Sequence, residues 1–119
     1  MDIDPDQLKK AIKDYISENK DMSFANFMNS RSFKNFDIKG DMALVDDIRN
    51  IVYWTGLSEM AVDVFRELLN GGGYTLKPTV LIVYMADGMA LRLPRVLRPP
   101  KKRYKEPHWL PTIMVKKAD

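Results

Sequence analysis

The sequence predicts an α+β fold: a helical domain in which two helices meet at a sharp turn, then a β-hairpin, then a basic, proline-rich C-terminal arm. Three observations carry this reading. Apolar residues recur at helical spacing in several stretches before residue 70. A run dense in β-branched and aromatic residues, Thr79–Met85, leads into Asp87-Gly88, a strong hairpin signal because a type I′ turn needs positive φ at both central positions. Charge is also unevenly divided. Residues 1–91 hold 10 Lys/Arg against 14 Asp/Glu, whereas residues 92–119 hold 9 against 2.

The elements follow in order. Residues 5–18 read as an amphipathic helix capped by Asp4, with Pro5 and Asp6 in its first turn and Leu8, Ala11, Ile12, Tyr15 and Ile16 facing inward. Ser23 caps a second, short helix bearing Phe24, Phe27 and Met28. The polar stretch SRSFKNFDIKGD is a loop with one further turn of helix or a short strand. From Ala43 to Trp54 the spacing again predicts a helix, with Leu44, Ile48, Ile51 and Val52 inward and Asp46 and Asp47 in its first turn. Thr55-Gly56-Leu57-Ser58 makes the sharp turn, and Ser58 caps a helix that stops at Asn70-Gly71-Gly72-Gly73. Its inward stripe is Leu57, Ala61, Val62, Phe65, Leu68 and Leu69, and its outward stripe is Glu59, Asp63, Arg66 and Glu67. The hairpin sets Tyr84 opposite Leu91, Val83 opposite Arg92 and Ile82 opposite Leu93. Thr112–Val115 is expected to form one more short strand.

A chain of 119 residues is long enough for one core and too short for two ordinary ones. We therefore divide it into a domain, 1–93, which includes the extra N-terminal helix, and an arm, 94–119. The absence of cysteine excludes disulfides and thiolate zinc sites. No run of about 18 apolar residues occurs, so no membrane span is expected. The segment MDIDPDQLKK is acidic where a signal peptide would be basic and then apolar, so a cytoplasmic location is the expectation.

Helix, sharp turn, helix, glycine stop and hairpin together resemble the winged helix-turn-helix superfamily over residues 44–93. The matching positions are Ile51 and Val52 on the first helix, Gly56 and Leu57 at the turn, Val62 and Phe65 on the second helix, and Asp87-Gly88 as the wing. Val52 departs from the pattern, because a small residue usually lets the two helices approach closely there. The resemblance implies a DNA-binding protein such as a small transcription or replication regulator, a homodimer for which helix 5–18 is the candidate contact, and a second helix whose early residues, Ser58, Glu59, Met60 and Asp63, meet base edges.

Charge argues against that helix as the main grip. Each carboxylate near a phosphate costs roughly half a kcal/mol in water at about 7 Å, and only Arg66 offsets Glu59, Asp63 and Glu67. The expected grip is the wing and arm, where Arg92, Arg95, Arg98, Lys101, Lys102, Arg103 and Lys105 fall close together. Tyr104, His108 and Trp109 interleave with this run. Aromatic faces beside cations suit stacking on unpaired bases, but burial is favoured for Trp109, with Leu110, Ile113 and Val115, since a large apolar residue gains most from it.

Nothing assembles a catalytic site, so no enzyme, cofactor or metal is expected. His108 is the lone histidine, GGGYTL does not open a phosphate loop, and GLSE lacks the second glycine of a nucleophile elbow. The favoured expectation is a small regulatory protein that binds nucleic acid. The alternative is a protein-interaction module or inhibitor, in which Glu59, Asp63 and Glu67 face a basic partner.

Overall fold

In the computed structural model, residues 4–80, 82–85, 89, 91, 93–96 and 98–117 are described. The first helix, α1 (Pro5–Asn19), begins as its sequence dictates. Asp4 accepts from the Gln7 backbone N–H at 2.9 Å, Gln7 Oε1 accepts from the Asp4 N–H at 3.3 Å, and Pro5 needs no hydrogen-bond acceptor in the first turn. Leu8, Ile12 and Ile16 are buried, and Ala11 and Tyr15 pack beside them. A short strand, β1 (Asp21–Ser23), leads directly into α2 (Phe24–Asn29), which Ser23 caps reciprocally with Asn26. A 3₁₀ turn at Arg31–Phe33 follows and buries Phe33.

The next segment corrects the sequence reading. Instead of a helix over 43–54, the chain forms two antiparallel strands, β2 (Lys39–Asp46) and β3 (Ile51–Leu57). Leu44, Ile51 and Val52 are buried as expected, but Ile48 sits on the connecting turn and is 83% exposed. The spacing of those four residues fits a helix, yet Ile51-Val52-Tyr53-Trp54-Thr55 is a strand-forming run, and pairing of Leu44 with Trp54 and Val45 with Val52 decides the matter. Asp46 therefore ends β2 and Asp47 opens the turn after it, and neither starts a helix. Gly56 and Leu57 lie in β3, so the described residues contain no first helix of the expected helix pair.

Thr55, Gly56 and Leu57 end a strand and do not make the expected sharp turn, but the helix capped by Ser58 is present. In α3 (Glu59–Leu69), Ser58 Oγ accepts from the Ala61 N–H at 3.1 Å, and Ala61, Val62, Val64, Phe65 and Leu68 are buried. The glycine stop has two physical causes: Gly71 and Gly73 adopt φ of +93° and +91°, and a Cβ at Gly72 would lie 2.6 Å from the Glu67 carbonyl oxygen. Beyond it run β4 (Tyr74–Pro78) and a single helical turn, α4 (Ile82–Met85). The expected strand Thr79–Met85 is thus partly helical, which removes the first half of the hairpin. Its turn, Asp87-Gly88, and its partner Arg92 lie outside the described residues.

The C-terminal segment is not a free arm. Strands β5 (His108–Trp109) and β6 (Thr112–Lys116) enter two different sheets. One sheet has the order β1-β6-β4, antiparallel throughout, with Met22 opposite Met114 and Leu76 opposite Met114 on the other side. The other has the order β2-β3-β5, with β3 and β5 parallel, and Arg95 bridges Trp109 on its outer side. Trp109 is 1% exposed, as favoured from its size.

Between the sheets and helices, ring contacts of 4.8 to 6.2 Å run from Phe33 through Phe27, Phe65 and Phe24 to Trp54, which touches both Tyr84 and Trp109. Such pairs contribute about 0.5–1.5 kcal/mol each beyond their burial. Tyr84 is fully buried, and its hydroxyl accepts from the Phe24 N–H at 3.1 Å and donates to the Thr112 carbonyl at 2.6 Å. Burial pushes its phenol pKa upward, so it stays neutral. Tyr84→Phe would leave a buried donor and a buried acceptor unpaired. Urea unfolding is expected to show a loss of about 1–3 kcal/mol, and an unchanged midpoint would show that the bridge carries no stability.

Candidate functional site

Of the cations predicted as a site, Arg95, Arg98, Lys101, Lys102, Arg103 and Lys105 lie on the loop that leaves the outer edge of the second sheet at Arg95 and returns at His108. Its two ends are held side by side. The Val96 N–H donates to the Trp109 carbonyl at 2.9 Å, and the Trp109 N–H donates to the Pro94 carbonyl at 2.8 Å. Farther out, the loop is tied to the β2–β3 turn: the Tyr104 N–H donates to the Arg49 carbonyl at 3.2 Å, Asn50 Nδ2 donates to the Tyr104 carbonyl at 3.2 Å, and the His108 N–H donates to the Asn50 carbonyl at 3.2 Å. Arg103 donates to the Asp47 carbonyl. The Tyr104 and His108 rings stack with centroids 3.8 Å apart, and His108 Nδ1 lies 2.8 Å from the Glu106 carbonyl, which can only accept.

Arg95, Arg98, Lys101, Lys102 and Lys105 are exposed, and none takes part in an ion pair among the described residues. Arg103 is exposed too, but one of its donors is committed to Asp47. Tyr104 is half-buried beneath His108, which leaves less of its ring for stacking than its place in the sequence suggested. Arg92 lies outside the described residues.

The α3 candidates separate. Ser58 Oγ is occupied as the helix cap. Arg66 lines a cleft of about 330 Å³ with Asp46, Asp47, Ile48 and Tyr53, beside the turn to which the basic loop is tied. Glu59 and Asp63 are exposed without a described ion-pair partner, whereas Glu67 accepts from Lys9 of α1 at 2.5 Å. That bond raises the Lys9 pKa, chiefly through the hydrogen bond to Glu67, against the opposing effect of desolvation. No group of three or more potential metal ligands occurs among the described residues, and no described helix is long and apolar enough to cross a membrane.

The turn that anchors the loop was missed from the sequence. Asp46 accepts from the Ile48 N–H at 3.0 Å and from Arg49 Nε at 2.6 Å, which closes the turn. Asn50 then takes φ of 59°, a left-handed conformation that asparagine tolerates better than most residues. The order Asp-Asp-Ile-Arg-Asn carried this signal, since Asp and Asn favour turns through their own backbone bonds. Comparison with protein-family models, with curated proteins and with solved structures finds no match to this chain.

Two outcomes follow from the anchor. Asn50→Gly loses the bond to Tyr104 but keeps the backbone geometry, while Asn50→Ala loses both. The alanine variant is expected to be less stable than the glycine variant by roughly 1 kcal/mol in urea, and equal midpoints would remove backbone conformation as the reason for asparagine. Burial is the largest influence on Asp46 and raises its carboxyl pKa. The Arg49 hydrogen bonds and charge, with the Ile48 N–H, outweigh it and hold the group below the ordinary carboxylate value. A depressed folded pKa stabilises above the unfolded value, about 3.9, and is lost as pH falls through the folded one. Asp46→Asn should therefore be less stable at neutral pH, with the gap closing as pH falls through the lowered folded value. A gap that is independent of pH would contradict this.

Proposed function

We propose that this chain is a small, non-enzymatic, cytoplasmic regulatory protein that binds nucleic acid, DNA foremost, through the cationic loop between Arg95 and Lys105. The observation that carries this is the loop itself: five exposed cations, unpaired among the described residues, on a backbone tied at its start to Trp109 and farther along to the β2–β3 turn. Phosphates attract such a loop without regard to sequence. Because the loop is tied down beforehand, less conformational entropy is lost when a duplex docks.

This mode of binding needs no helix in a groove. It also keeps Glu59 and Asp63 of α3 away from the phosphates as long as α3 is not the docking element. A second reading rests on those two carboxylates, which are exposed and without a described ion-pair partner: α3 meets a protein with a basic surface. Charge reversal at Glu59 and Asp63 abolishes partner capture under the second reading and leaves nucleic-acid binding intact under the first.

Deleting residues 94–119 is unsuitable as a test, because it removes β5 and β6 along with the cations. Replacing Arg95, Arg98, Lys101, Lys102 and Lys105 together with Gln keeps both strands. If all five meet phosphates of a random duplex, the slope of log K against log salt is about −4.5, an affinity loss of about five-hundredfold between 50 and 200 mM. The five-Gln variant is expected to lose binding and most of the slope while keeping its circular dichroism spectrum. Failure of the intact protein to bind either duplex or single strand in dilute salt would end the proposal.

A further inference from the structure

A second concentration of positive charge lies on elements other than the basic loop. Residues 28–39 enclose a cleft of about 370 Å³ whose rim carries Arg31, Lys34 and Lys39 against a single carboxylate, Asp37. Its apolar lining includes Phe33 and Ile38, both buried, and Phe36, which is half-buried and keeps part of its ring accessible. The 3₁₀ turn sets the two nearest cations. The Lys34 N–H donates to the Arg31 carbonyl at 3.3 Å, and side chains at i and i+3 of such a turn eclipse one another. Arg31 and Lys34 are therefore held on one side, both exposed, with no ion pair to either among the described residues. Like charges so placed repel each other and favour an anion between them.

The opposite wall is fixed. The Ser58 N–H donates to the Ile38 carbonyl at 2.8 Å. Gly40 lies so close to β3 that an added Cβ would meet the Leu57 carbonyl oxygen and Ser58 Cα at 2.9 Å. The backbone of Ile38 and Lys39 is thus held against the end of β3 and the start of α3. The cleft's volume is that of a small-ligand site, which typically combines apolar walls with a few orienting polar groups.

We propose that this cleft binds a nucleoside monophosphate group, with the planar base against Phe36 and the phosphate between Arg31 and Lys34. It does not depend on the basic loop, which is built from other residues. The same chemistry is offered by a free nucleotide and by one nucleotide of a strand.

The test is calorimetric titration of the intact chain with adenosine 5′-monophosphate, adenosine and inorganic phosphate. Expected is saturable binding of the nucleotide, with adenosine and phosphate each weaker by about tenfold or more, as loss of the charged hydrogen bonds or of the ring contact implies. Arg31→Ala/Lys34→Ala changes only exposed side chains and is expected to lose about tenfold or more in nucleotide affinity. The five-Gln loop variant is expected to bind the nucleotide as the natural chain does. A short oligonucleotide that competes for the cleft assigns the ligand to a strand. One that fails to compete assigns it to the free nucleotide, and the proposal stands in either case. No saturable binding at millimolar nucleotide, or binding that the double variant leaves unchanged, overturns it.

Discussion

Everything in this fold depends on the short segment His108–Lys116, which belongs to both sheets at once. Its first two residues pair in parallel with β3, and its last five form the centre of the other sheet, between β1 and β4. Trp109, sealed at the junction, touches Trp54 and Tyr84, and Tyr84 in turn ties the start of α2 to Thr112. Without this segment the first sheet loses the strand that joins β1 to β4. The two sheets would then have no common element, and the aromatic contacts around Trp54 would lose one wall.

The same constraint sets the position of the basic loop. A chain that must place Arg95 beside Trp109, and His108 beside Ile51, has to leave and return at nearly the same point. The residues between form a closed excursion over the β2–β3 turn, and the solvated cations on it are displayed where the core dictates. Long cationic side chains are costly to bury and favourable to solvate, so a run of them naturally occupies such an excursion. The anchoring bonds are made largely by backbone carbonyls and amides, which leaves most of the charged groups uncommitted.

Carboxylates are handled differently. Asp46 is turned inward on its own turn and satisfied by Arg49, Glu67 is engaged by Lys9, and Asp4 caps α1. Some carboxylates of the first 91 residues are thus consumed in structure, whereas Arg95, Arg98, Lys101, Lys102 and Lys105 have no ion-pair partner among the described residues. Surface ion pairs contribute little to stability individually. Their consequence here is that they decide which charges stay open to a partner.

Local chemistry was readable in the linear order of residues. Asp4, Ser23 and Ser58 announced three helix starts, the glycines after Asn70 announced a stop, and the inward residues of α1 and α3 were assigned from their spacing, except that buried Val64 was missed. Burial of Trp109 and a strand near Thr112 were also legible, because size and β-branching act whatever the fold. What the order of residues could not settle was the choice between helix and strand at 43–57, since Leu44, Ile48, Ile51 and Val52 satisfy a helical period while their neighbours satisfy a strand. Pairing between β2 and β3, and between β3 and a strand more than fifty residues away, settled it. The helical turn holding Tyr84 and the seating of the basic loop on Asp47 and Asn50 were decided in the same way. Caps and stripes depend on neighbours within a turn or two and are written locally. Sheet partners and closed loops depend on residues far apart in the chain, and only the folded core brings these together.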